Sequence, residues 1–251
     1  MSNDLPNWER PHYQPSTDHA LVYWAIHGKF TNEVEISRSK YRTAGPPEGV
    51  TCRKVGRQEN KPLPFTDDVF GKGITNQALF EQIKTAPECM VIQGEFADST
   101  NLNYLRDCIG VVTFFLDHGG WAVCDPQQIE LYDAGQWRST VFEPGETNVQ
   151  TQVKILLSNE PDGRWFHTRG LRKFARPDIS VVGTPPDQRG GAIDLCNRLI
   201  RMQILGGQIA EGQEIRMASL PPGLICHHAG NLDDPDFNNV HVEIRWPKTV
   251  N

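Results

Sequence analysis

Residues 164–182 read Arg-Trp-Phe-His-Thr-Arg-Gly-Leu-Arg-Lys-Phe-Ala-Arg-Pro-Asp-Ile-Ser-Val-Val. Cationic and aromatic side chains crowd between two strand-like runs, and Gly170 and Pro177-Asp178 punctuate the bend. Just upstream, Val153–Ser158 and Trp165–Thr168 flank Asn159-Glu160-Pro161-Asp162-Gly163. That is a hairpin signal, because proline presets φ and glycine supplies the φ > 0 position. Ile179–Val182 reads as a further strand. Antiparallel strands followed by an apolar helical stripe place the chain in the α+β class. The expected architecture is a single domain with a mixed or antiparallel sheet packed against about three helices, near residues 75–86, 100–117 and 191–205.

Working outward, Ala20–Lys29 reads as a buried strand, and Val34–Tyr41 alternates like a half-exposed one with Val34 and Ile36 on one face. Residues 44–73 carry Gly-Pro-Pro and Lys-Pro-Leu-Pro and read as a long irregular connection. Thr75 is positioned to cap a helix that Pro87 stops, and Cys89–Phe96 is a β-rich run. Asp98-Ser99-Thr100 reads as the opening of a longer helix with Leu102, Leu105, Ile109, Val112 and Leu116 at helical spacing. Within it, Val111–Leu116 alternatively reads as a central strand. His118-Gly119-Gly120 suits a left-handed helix terminus, and Trp121–Cys124 is a strand ended by Asp125-Pro126. Ala192–Leu205 is a buried helix ended by Gly206-Gly207, and strands follow at Glu214–Met217, Leu224–His227 and Val240–Trp246. Residues 1–18, with three prolines, read as an extended lead-in to a domain spanning 19–251. The expected core is Val22, Trp24, Leu79, Ile83, Leu105, Ile109, Val112, Phe115, Val123, Ile155, Leu171, Ile179, Ile193, Leu199, Ile200 and Ile225.

Composition narrows the function classes. A net charge of −6 argues against general nucleic-acid binding, which needs a positive footprint. No apolar run approaches the 18 or so residues of a membrane span, and no secretory signal is visible, so a cytoplasmic location is expected. Six cysteines lie scattered without a Cys-x-x-Cys pair, the pattern of reduced thiols. The nucleophile-elbow, phosphate-loop, dinucleotide, zincin and kinase motifs are absent, and no cofactor is expected.

Three constellations remain. His167, Arg169, Arg172 and Arg176 form a candidate clamp for a carboxylate- or phosphate-bearing partner, because guanidinium forks bind such groups bidentately. Extended alternation would put His167 and Arg169 on one face, with Gly170 turning Arg172 alongside, so that the three share an exposed surface or line one pocket. The structural reading of the same residues is solvated or paired cations at a corner. His228, Asp234, His241 and Glu243, with His227, Asp233 and Asp236 nearby, form a candidate divalent-metal cluster. Its structural reading is a turn with Asx-type hydrogen bonds across Gly230–Asp236. Finally, His118 and Cys124 are a conceivable base and nucleophile pair, against a helix end and a strand-ending turn.

Gly119-Gly120, Asp125-Pro126, the run Thr168, Gly170, Leu171, Phe174, Pro177, Asp178 and Ile179, and then Gly212 and Ile215 together resemble a bacterial family of unknown function over roughly residues 75–246. In that family glycine follows the phenylalanine. Ala175 stands there in this chain, which puts a φ > 0 conformation at that position in question. The resemblance implies the fold, and by analogy with related small domains a partner-binding role. The expected function is a non-enzymatic protein-binding module, an immunity-type partner of a toxin being one form. The alternative is a small metal-dependent or small-molecule enzyme using the His/Asp-rich C-terminal segment. If the thiols are reduced, alkylation of the denatured, unreduced protein labels all six cysteines in its mass spectrum; a pair of unlabelled sites would reveal a disulfide.

Overall fold

In the first strand, β1 (His19–Gly28), Val22, Trp24 and Ile26 point to one side and Ala25 and His27 to the other, and all five are buried. A strand covered on both faces belongs in the middle of a sheet. The computed structural model, which describes residues 5–31, 35–59 and 61–247, places it there. The chain is a mixed α+β fold, with two sheets where one was expected. It divides into two compact units: Met1–Glu9, Ala20–Ala97 and Asn101–Thr151 form one, and Arg10–His19, Asp98–Thr100 and Gln152–Asn251 form the other.

The first unit contains β1, the single turn α1 (Arg38–Tyr41), β2 (Val50–Gly56), α2 (Asp68–Gly71), α3 (Gln77–Ile83), β3 (Glu88–Ala97), α4 (Asn103–Asp117), β4 (Gly120–Asp125), β5 (Glu130–Asp133) and α5 (Ala134–Trp137). Its strands run in the order β2-β3-β1-β4-β5. One sheet face packs Ala25, Cys89, Val91, Ala122 and Cys124 against α3 and the segment around Leu63 and Ile74. Trp24 lies edge-on to Trp137 at 5.9 Å and donates its indole N–H to Asp125. Trp137 in turn donates to Thr113 on α4. Both tryptophans thus satisfy their polar handle while buried, as interior tryptophans must.

Several expectations are corrected here. The 44–73 segment is not wholly irregular: β2 lies within it, paired antiparallel to β3, its signal masked by Arg53 and Lys54 on an exposed strand. Ser37–Tyr41 leads into a helical turn, not a strand; Val34 falls outside the described residues. Asn76, not Thr75, caps α3 by accepting from Leu79 N–H. The Val111–Leu116 run is helical, as part of α4, which begins at Asn103, after the Asp98-Ser99-Thr100 segment read as its start. Gly119 does take a positive φ of 110°, and a Cβ there would sit 2.0 Å from the Lys29 carbonyl oxygen. Strand β5 and α5 were not anticipated.

The second unit contains β6 (Lys154–Glu160), β7 (Gly163–Arg169), β8 (Asp178–Thr184), α6 (Arg189–Ile204), β9 (Glu214–Ile215), β10 (Leu224–Ala229) and β11 (His241–Arg245), in the sheet order β6-β7-β8-β11-β10-β9. The expected hairpin forms with longer strands, Glu160 pairing Gly163 around Pro161-Asp162. All neighbours are antiparallel except β8 and β11, which run parallel with His241 opposite Asp178. On α6, Leu195, Cys196, Leu199 and Ile200 are buried, but Ile193 is only half-buried. Phe115 and Ile155 are likewise half-buried, and Ile225 is 39% exposed because Leu224 and Cys226 take the inward positions of β10.

Three distant residues meet inside this unit. Asp98 accepts from Arg10 at 2.6 Å and from Arg176 at 3.0 Å, and all three side chains are almost wholly buried. The remaining Asp98 lone pairs take the backbone N–H groups of Ser16 and Ser99. Arg10 commits its other donors to the carbonyls of Ser99, Phe174, Gln203 and Ile204. Arg176 does the same with Gln14, Ala175, Gly206 and Gly207. Each guanidinium therefore has all five N–H groups bonded. Two cations and one anion leave a net positive charge, which faces the carbonyls at the C-terminal end of α6, where the helix dipole is negative. Removing one partner of such a network strands a buried charge. Asp98→Ala should cost about 3–5 kcal/mol in denaturant unfolding; a loss below about 1 kcal/mol, the level of a surface pair, would show the network to be dispensable.

Candidate functional site

The two sequence clusters read separately, the cationic segment and the His/Asp tail, come together on one side of the second sheet. Trp165, His167 and Arg169 alternate onto one face of β7, and Trp165 donates to Ser180 on the neighbouring β8. The loop between β10 and β11 folds over this face through Phe237. Trp165 stacks on His167 at 4.1 Å, Phe237 meets His167 edge-on at 5.5 Å, and Phe237 stacks on His241 at 4.1 Å.

The arginines hold that loop. Arg169 is buried and donates to the carbonyls of Pro235 and Asp236 at 3.1 and 2.5 Å. Half-buried Arg172 donates to the Asn238 carbonyl at 2.9 Å, and Arg176 is sealed in the network with Asp98. His167 is itself buried. With His167 and Arg169 buried, the shared exposed surface that was one of the two arrangements expected of His167, Arg169 and Arg172 is not formed. Backbone carbonyls, which a sequence cannot display as partners, occupy the guanidinium groups instead.

Local chemistry explains the corner. Thr168 donates its hydroxyl to Asp178 at 2.7 Å and accepts from Ile179 N–H, while Asp178 also accepts from Leu171 N–H and Asn239. Gly170 has φ 116°, and one 3₁₀ turn follows over Leu171–Phe174. Ala175 adopts φ 52° without being glycine, its methyl buried in the same corner. Burial pushes the Asp178 carboxyl up to about 6 against these hydrogen bonds, which favour the charged form.

The four proposed metal ligands do not converge. In the β10–β11 pairing, His228 lies opposite Val242 and His241 opposite Ala229, so the two imidazoles leave opposite faces of the ribbon. His228 Nε2 bonds the Ile209 carbonyl at 2.8 Å, Glu243 pairs with Arg245, and Asp234 stands 3.9 Å from His241 Nδ1. Among the described residues, no group of three or more His, Cys, Asp or Glu side chains gathers as a metal ion requires. The loop instead forms the Asx-type turns of its alternative reading: Asn231 accepts from Asp233 N–H and Asp234 from Asp236 N–H, each at 2.9 Å.

The His118 and Cys124 pair is likewise occupied structurally. His118 Nδ1 bonds the Phe114 carbonyl at 2.7 Å, and burial raises the Cys124 thiol well above its ordinary range. All six cysteines are unpaired.

What sequence reasoning missed is a cavity of about 330 Å³ in the second unit. Its walls include Pro177, Ile209 and Val240, and its polar lining comes from Ser16, Asp18, Gln208, His228 and His241, with sealed Arg176 behind. The volume is at the lower end of the range for ligand pockets. Ser16, Asp18 and Gln208 sit in segments that carry no motif, so of the polar lining Arg176, His228 and His241 had signalled the place. No family model, curated protein or solved structure matches this chain.

Burial holds His167 down at about 4, with Arg169 adding to the effect. In the unfolded chain it would titrate near 6.5. Its contribution to stability is therefore present above that pH and is lost as pH falls toward 4. Asp178, raised from 3.8 to about 6, acts in the opposite sense: its contribution is present at low pH and is lost as pH rises through 6. His167→Phe removes the first and leaves the second. From pH 7 to pH 5 the variant should lose less unfolding free energy than the wild type, by on the order of 1 kcal/mol in parallel denaturant titrations. Parallel losses would mean that His167 is protonated without cost.

Proposed function

We propose that this chain is a non-enzymatic binding module that engages a protein partner through the cavity of its second unit. The observation that supports this reading is the state of the polar groups around the cavity. Arg176 has its five donors bonded within the chain, His228 Nε2 is tied to Ile209, and both Gln208 amide protons go to the Gln14 and Pro15 carbonyls. Groups fixed in this way shape a recessed surface. Covalent catalysis would need a nucleophile within reach of a base. Among the described lining residues there is no cysteine, and the Ser16 hydroxyl bonds the Asp18 carboxylate, not a histidine.

An open recess beside exposed rim residues suits an anchor side chain from a partner, the arrangement in which a few buried contacts carry most of the affinity. The net charge of −6 favours a basic partner, since complementary charge accelerates encounter. A toxin-neutralising role is one form of this reading. Within it, no helix of the described residues is long and apolar enough to cross a membrane.

Ala229, on the cavity wall, provides the test. Ala229→Trp should fill the recess and abolish the partner cross-links that photo-reactive wild-type protein forms in its native cells, with the thermal midpoint little changed. If instead the wild type depletes a metabolite in cell extract and Ala229→Trp does not, the site is catalytic and the binding reading fails.

A further inference from the structure

The hydrogen-bonding capacity left open in the cavity specifies what enters it, given the binding reading above. We propose that the cavity receives the cationic side chain of an arginine or lysine from the partner. The argument is an inventory of donors and acceptors.

Arg176, the one cation in the lining, has no N–H left to offer. The Ser16 hydroxyl donates to Asp18 Oδ2 at 2.9 Å and accepts from Asp18 N–H, which fixes that carboxylate at the rim with Oδ1 open. Gln208 has both amide protons on carbonyls, leaving Oε1 as an acceptor. His228 Nε2 faces the Ile209 carbonyl, which only accepts, so the proton lies on Nε2 and Nδ1 carries a lone pair. His241 is buried, with Nδ1 turned toward Asp234 and away from any hydrogen-bond partner. The nearby carboxylate favours the proton on Nδ1, which leaves Nε2 to accept.

The lining side chains thus carry four open acceptors, one of them on a carboxylate, while the unmatched N–H of His241 Nδ1 is fully buried. An anion would find no side-chain N–H or O–H to bind, and a neutral amide would leave acceptors unmet. A guanidinium or ammonium group is a donor without acceptors and matches the set. The apolar walls at Pro177, Ile209 and Val240 suit the methylene stem of such a residue. A guanidinium, more weakly hydrated than an ammonium, is the easier of the two to bring out of water. The positive charge of Arg176 does not oppose entry, because Asp98 and four carbonyls, two of them just beyond the C-terminal end of α6, already surround it.

The test uses the full chain and four probes: Nα-acetyl-arginine methylamide, its neutral citrulline counterpart, free arginine and inorganic phosphate. Proton NMR of the histidine rings reads the site directly. The arginine amide should shift the His228 and His241 resonances saturably, with the citrulline amide binding about tenfold more weakly or worse, a loss of about 1.4 kcal/mol. Asp18→Asn should reduce the arginine response by a similar factor. Asp18→Lys should abolish it, since its own ammonium would occupy the recess; Asp18 is exposed, so both variants should keep the wild-type thermal midpoint. Equal binding of citrulline, or phosphate shifting the same rings, overturns the cation assignment. Free arginine binding about tenfold tighter than its blocked form would assign the site to a free amino acid and overturn the partner side chain. Should no probe bind while Ala229→Trp still abolishes partner cross-links, the cation assignment fails and the binding module stands. Should Ala229→Trp leave the cross-links intact, the binding reading itself fails.

Discussion

The second unit depends on a carboxylate held between two guanidinium groups. Asp98 is brought to Arg10 and Arg176 from the five-residue interval of chain between β3 and α4, and the three side chains exclude water almost completely. Burying three charges is unfavourable unless every polar atom is bonded, and here each N–H of both arginines is. The carbonyls that complete the shell come from the 3₁₀ turn after β7, from the end of α6 and from the N-terminal segment. Arg10 and Ser16 anchor that segment, read from the sequence as an extended lead-in, to the interior. The network also positions the cavity, since Arg176, Ser16 and Pro177 lie in its wall.

A second constraint works outward from the same corner. Thr168, Asp178 and Asn239 close a hydrogen-bonded set that joins β7, β8 and the approach to β11. Arg169 and Arg172 extend it to the carbonyls of the 230–239 loop, and Phe237 lays that loop on Trp165, His167 and His241. The cationic segment acts as a scaffold. It fixes the loop whose base, at Gly230 and His241, borders the recess.

Much of the fold was legible in local pattern. The hairpin at 154–169 followed from Pro161-Asp162-Gly163, α6 from its apolar stripe, and β1 from an unbroken apolar run. The departures have identifiable causes. Strand β2 was hidden because an exposed edge strand can carry charge on both faces, and Ile225 was taken as core because one residue of register decides which side chains of β10 face inward. A positive φ was in question at Ala175, which adopts it, the surrounding corner overriding its intrinsic preference.

The candidate site shows the same division more sharply. Arg176 and the C-terminal histidines stood out by residue type, but type alone does not say whether a guanidinium is exposed to a partner or sealed against carbonyls. Asp98 read as a helix opener, Arg10 as part of an extended lead-in and Arg176 as a surface clamp, because each has a plausible local role and no nearby partner in sequence. By itself the sequence determined the elements, the turns between them and the acidic balance, since these rest on interactions within a few residues. Tertiary structure alone decided which charges were consumed, which acceptors stayed open and where the cavity lay. Those outcomes depend on groups about 90 and 80 residues apart in the chain meeting in space, and loop closure of that kind leaves no periodic trace in the sequence.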